Sequence, residues 1–139
     1  MYRYIFGFDK TDPVNCAREL KRKGIHAIVT DASGAQFAPL LSDEGLDVYL
    51  CFGAFSLDND INANRYCADA SGNRRVWFSS GCPNDAALAE KRIHSILECV
   101  NPYIKGIFVD GARFASFASS EGTDAFFTCF CPRCMEKMH

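Results

Sequence analysis

Residues 129–134 read Cys-Phe-Cys-Pro-Arg-Cys, three thiols in one short turn. Thiols this close together serve a metal, a redox pair, or one side of a disulfide framework. A redox pair is expected at the N-terminus of a helix just after an early strand, whereas this cluster follows a polar loop and a third thiol crowds it. The chain has eight cysteines in 139 residues, below the ~8–10 % that marks a small disulfide scaffold. Zinc takes four soft ligands in a tetrahedron, so the C-x-C-x-x-C spacing predicts a structural zinc site lacking one ligand. The candidates for the fourth are Cys82, Cys67 and His139, the last as a C-x4-H continuation. Cys16, Cys51 and Cys99 fall inside strand or helix patterns and read as small buried hydrophobes.

A second set of candidate residues stands where apolar runs end. Asp9 closes "FGFD", Asp31 closes "IVTD", and Asp110 with Arg113 closes "IFVDGAR". In parallel α/β folds ligands bind at the carboxyl ends of strands. Aspartate also commonly caps the turn after a strand, and Asp9 and Asp31 suit that role. Asp110 interrupts an apolar strand and has an arginine three positions on. A carboxylate beside a guanidinium stays ionised, which suits a nucleophile, a base or a hydroxyl acceptor more than a proton donor. His26 opens a strand and His94 lies on a helix pattern, and both read as structural. Arg74, Arg75, Trp77 and Phe78 mix cation and aromatic in a long loop, read as a solvated loop with a packed anchor. No G-x-S-x-G elbow and no glycine-rich phosphate turn occurs.

The elements that must position these residues alternate along the chain. "YRYIFGFD" reads as a strand. "TDPVNCARELKRKG" reads as a helix with Asp12 as N-cap, Pro13 in the first turn and Gly24 as the stop. "HAIVTD" is a second strand, "SGAQFAPLLSDEG" an irregular helix limited by Pro39, and "LDVYLCFGAF" a third strand. Residues 56–81 form a long loop with a short hairpin expected across "ADASGNRR". A helix follows, with Leu88, Ala89, Ile93, Ile96, Leu97 and Val100 expected on its buried face. "KGIFVDGARFAS" is the fourth strand, and a loop leads from it into the cysteine cluster. Strand–helix alternation predicts an α/β fold with a parallel sheet. Pattern alone leaves open a doubly wound sheet or part of a (β/α)8 barrel. The formal charge of −2 gives no footprint for nucleic acid or an anionic membrane. No apolar run spans a membrane, and no leader pattern opens the chain, so the expected location is the cytoplasm.

From residue 72 to 134 the chain resembles the (β/α)8 glycoside hydrolases, in particular the zinc-containing bacterial β-galactosidases. The resemblance rests on "GNRRVWFSSGCPND", a helix, "GIFVDGARF", a loop and "CFCPRC", in that order. It implies that Cys82 joins Cys129, Cys131 and Cys134 around one structural zinc. "DGARF" is also similar to a D-x-x-R-F strand end in a broader group of glycosyl hydrolases. The resemblance implies carbohydrate bound at the strand ends, with Asp110 as the catalytic candidate and Asp9, Asp31 and Arg113 in contact with substrate. It departs where that family ends its fourth strand in Asp-Asn-Glu and draws its acid/base from the Glu. Here the stretch is Asp110-Gly111-Ala112. Retaining hydrolysis needs two carboxyl groups about 5 Å apart, and the family's nucleophile comes from a later strand. The expectation is therefore a single (β/α)4 unit over residues 1–139, the N-terminal half of a TIM-type barrel. Four strands leave a barrel open, so either a longer chain or a second copy completes it, and the first is favoured. The alternative function is a non-catalytic zinc-stapled module that binds carbohydrate or protein.

Overall fold

The computed structural model describes residues 1–57, 65–74, 80–112 and 128–138. Two compact units emerge: Met1–Phe52 with Ile96–Val109, and Gly53–Ser95 with Asp110–His139. Arg113, Arg75, Trp77, Phe78 and His139 lie outside the described residues.

The first unit is built on a parallel sheet. Its strands are β1 (Tyr4–Phe6), β2 (Ala27–Thr30), β3 (Asp47–Gly53) and β4 (Ile104–Asp110), in the spatial order β1-β2-β3-β4. Tyr4 pairs with Ala27 and Phe6 with Val29; Ala27 pairs with Asp47 and Thr30 with Leu50. This is the α/β fold with parallel (β/α) units that the alternation predicts. Because the order never reverses, every crossover steps the same way. Right-handed connections then place the helices on one face of the sheet.

Local sequence explains the connections. Helix α1 (Pro13–Arg22) starts at Asp12, whose carboxylate accepts from the Asn15 amide, and carries Lys21 and Arg22 in its last turn. Gly24 follows with φ +76°, a conformation that costs a residue with a Cβ. Ala32–Phe37 form a 3-10 turn capped by Asp31, and α2 (Ala38–Asp43) continues from it with Pro39 in its first turn. Ala17, Ile28, Ala38, Leu41, Leu46 and Val48 form the main core. Leu50 and Phe52 extend it, packing with Ile96, Cys99 and Ile107.

The opposite face of the sheet is apolar and, among the described residues, partly exposed. Strand β3 alternates, with Val48, Leu50 and Phe52 buried and Tyr49 and Cys51 half-buried. Tyr4 is 53 % and Phe6 59 % exposed, and the Phe6 ring meets Phe108 edge-on at 5.2 Å. Tyr2, Tyr4, Val29, Tyr49 and Phe108 line a hollow of about 260 Å³ on this face.

The second unit holds the start of helix α3 (Ala86–Cys99), the loops before it and the short helix α4 (Pro132–Glu136). The expected hairpin is present: Ala68 bridges Arg74, and the Asp69 carboxylate accepts from the Ser71 and Asn73 amides across the turn. Residues 65–67 run against 80–82, with Cys67 N donating to Ser80 O at 2.8 Å and Cys82 N to Arg65 O at 2.7 Å. Helix α3 corrects one expectation. Leu88 and Arg92 are its buried residues, while Ile93, Leu97 and Val100 are exposed. Arg92 buries its stem and donates to Ser56 O at 3.2 Å, so a residue that counts as polar in a periodicity defines the packed face. Cys16, Cys51 and Cys99 are half-buried rather than buried. No helix among the described residues is long and apolar enough to cross a membrane.

Candidate metal centre

Two proline turns bring the cysteines together. Cys82-Pro83-Asn84-Asp85 leads into α3, and Cys131-Pro132-Arg133-Cys134 opens α4. The Sγ atoms of Cys82, Cys129, Cys131 and Cys134 all lie within 4.8 Å of one another. Cys82 Sγ is 3.4 Å from both Cys131 Sγ and Cys134 Sγ. A disulfide needs about 2.05 Å, and all eight cysteines are free. A tetrahedron of thiolates at the usual metal–sulfur length of about 2.3 Å has edges of ~3.8 Å. The observed spread brackets that value, and the donor set is four soft sulfurs. These four cysteines could hold a metal ion.

Backbone geometry prepares the sulfurs for charge. The Asn84 amide donates to Cys82, and the Cys131 and Ala68 amides donate to Cys129. Asn84 Nδ2 donates to Cys134 Sγ at 3.2 Å, and its Oδ1 accepts from Lys137 Nζ at 3.1 Å. N–H donors favour a thiolate over a thiol. The Cys129 thiol is pushed down to about 4, chiefly by its hydrogen bond with Cys67. Burial pushes Cys82 and Cys134 up, so a metal must displace protons there.

Cys67 stands beside the cluster as a fifth thiol. Its bond to Cys129 is the main cause that holds it well above the ordinary thiol range, and burial adds to it. It is 1 % exposed and lies 3.3 Å from Gly81 O, an acceptor for its S–H. Of the three sequence candidates for a fourth ligand, Cys82 lies in the close group, Cys67 adjoins it, and His139 falls outside the described residues. A cavity of about 480 Å³, lined by Tyr66, Cys67, Arg74, Cys131 and Arg133 among others, adjoins the cluster. Arg74 lies over the Tyr66 ring at 4.6 Å.

The strand-end carboxylates occupy simpler surroundings. Asp9 Oδ1 accepts from the Thr11 amide at 2.8 Å and its hydroxyl at 2.6 Å, which hold Asp9 below the usual carboxylate range. Asp31 Oδ1 accepts from Lys10 Nζ at 2.9 Å, Ser33 Oγ at 2.7 Å and Gly34 N at 3.0 Å. Asp110 ends β4 exposed; its Oδ1 accepts from Gly111 N and its carbonyl from Ala54 N, both at 2.7 Å. Asp9 and Asp31 belong to the first unit and Asp110 to the second. His26 is structural: its Nδ1 accepts from Arg3 N at 3.2 Å and its ring stacks on Tyr2.

Sequence reasoning named the sulfurs but missed what surrounds them. The buried Asp85 carboxylate pairs with the half-exposed Arg133 at 3.2 Å, and Asn84 reaches Cys134. The available signal was the placement of a polar residue inside each C-P-x turn. Compared with protein-family models, with curated proteins and with solved structures, the chain shows no match.

Proposed function

We propose that this chain is a segment of a glycoside-hydrolase-like (β/α) barrel. Cys82, Cys129, Cys131 and Cys134 hold a structural zinc, and carbohydrate binds at the carboxyl ends of the strands. The observation that carries the reading is the four-thiol cluster formed by the two turns whose motifs carry the resemblance. Zinc suits it because four thiolates with no open position make a closed, structural site. The unreversed strand order and the partly exposed aromatic residues of the other face support the barrel, since a parallel sheet is normally covered on both faces. Further strands, from a longer chain or a second copy, would cover it.

Asp110 is the candidate for chemistry, because it ends a strand with its carboxylate exposed. In this reading Asp9, Asp31 and Arg113 contact substrate. The test is a panel of aryl-glycosides and immobilised oligosaccharides, applied to wild type and Asp110→Ala in the longest assembled form. Turnover or sugar binding lost on substitution supports the reading; activity unchanged by it removes Asp110 from the site.

A second reading, a zinc-stapled binding module without turnover, draws on Asp9 and Asp31. Both carboxylates already serve their own turns, and no glutamate follows Asp110 at 111 or 112. Sugar retention without hydrolysis of any aryl-glycoside selects it.

A further inference from the structure

The Asp85 side chain is 4 % exposed and closes the first cysteine turn. Its Oδ1 accepts from Leu88 N at 3.1 Å, which caps the start of α3. Its Oδ2 faces Arg133 Nη2 at 3.2 Å and Arg65 Nε at 4.0 Å. Yet among the described residues Oδ2 accepts no in-line hydrogen bond. A buried carboxylate oxygen at ion-pair distance from a guanidinium but off its N–H axis is an acceptor awaiting a small rotation. Arg133 lies inside the turn that carries Cys131 and Cys134. In the return direction, Asn84 of the first turn donates to Cys134 of the second. The two turns clasp each other reciprocally.

We propose that Asp85 is a positioning residue of the metal centre: its buried carboxylate holds Arg133, and through it the Cys131–Cys134 turn, in register with Cys82. The inference rests on the metal reading above and extends it to a residue that ligates nothing. Drawing the four thiolates onto one ion closes the Arg133 fork on Oδ2, so metal binding and the start of α3 reinforce each other. The simpler role, a helix cap alone, is separable, because asparagine caps as well as aspartate and carries no charge.

The experiment titrates cobalt(II) into the metal-free, reduced full chain and reads thiolate-to-cobalt charge-transfer and ligand-field absorption. Asp85→Asn keeps the cap and loses the ion pair, and is expected to weaken cobalt binding about 10- to 100-fold with an altered ligand-field envelope. Arg133→Met reads the same link from a half-exposed position should Asp85→Asn fold poorly, and Arg133→Lys should restore part of the loss. The double variant is expected to be no worse than the more affected single one, since both remove one interaction. Wild-type affinity and spectrum in both single variants, or losses that add in the double variant, overturn the positioning role. A wild-type chain that takes up no cobalt overturns the metal reading itself, and this role with it.

Discussion

The side-chain amide of Asn84 donates to the sulfur of Cys134 at 3.2 Å, joining residues 50 positions apart. Lys137 fixes which way that amide faces, because its ammonium takes the oxygen at 3.1 Å. Asn84→Ala removes one donor from the Cys134 sulfur. Asn84→Asp places a carboxylate against it, which adds repulsion to the lost bond. The aspartate variant should bind zinc about 10- to 100-fold more weakly than wild type, and the alanine variant should fall between them. Competition with a chromophoric chelator ranks the three; equal affinities for the two variants would remove charge from the explanation.

Metal removal should act on one unit and spare the other. The first unit has an apolar core of its own in Ile28, Leu41, Leu46, Val48 and Leu50. In the second, the largest grouping of buried apolar side chains among the described residues is the cysteine cluster itself. Structural zinc in small domains contributes about 10–16 kcal/mol of binding free energy to folding. Elemental analysis should find about one zinc per chain, lost in Cys82→Ser. On chelation, hydrogen exchange should accelerate at residues 65–69 and 80–85 and stay slow in β2 and β3. Uniform acceleration, or none, would contradict a structural metal confined to this unit.

Gly81 sets the position of Cys82 without touching a metal. Its amide donates to Phe55 O at 2.8 Å. A Cβ at Gly81 would meet that carbonyl oxygen at 2.5 Å and overlap the Leu88 side chain. Backbone cannot yield as a flexible side chain does, so Gly81→Ala should cost about 1–3 kcal/mol and displace Cys82. Urea unfolding and zinc occupancy should fall together; normal occupancy with lowered stability would confine the effect to packing.

How much of this was legible in the sequence follows from where each feature gets its energy. Helix α1 was readable because Asp12, Pro13 and Gly24 act within one turn of their own positions. The sulfur cluster was readable in part, because C-x-C-x-x-C is local, while the inclusion of Cys82 needed the resemblance. The Asp85–Arg133 pair was not readable, since it forms only when two distant turns meet. The buried face of α3 was misread for a related reason. Arg92 packs its methylenes inward and finds a carbonyl for its head, which apolar periodicity cannot register.

Asp31 shows how a strand-end carboxylate can be tested for availability. Lys10 is the main cause that holds it below the ordinary carboxylate value, with Ser33 next. A carboxylate lowered in the folded state stabilises the fold above its unfolded value, and that contribution disappears as pH falls through the folded one. The pair is exposed, with side-chain accessibilities of 36 % and 66 %, so its worth is about 0.2–1 kcal/mol. Lys10→Met should move the Asp31 titration upward, read from its side-chain carboxyl carbon by NMR. Wild type and variant should differ in urea stability near neutral pH and converge below the folded Asp31 value. A sugar that engages Asp31 must displace Lys10 or share the carboxylate with it, so saturating oligosaccharide should shift that same resonance. An unmoved resonance in a sugar-bound protein would leave Asp31 as the cap of its own turn.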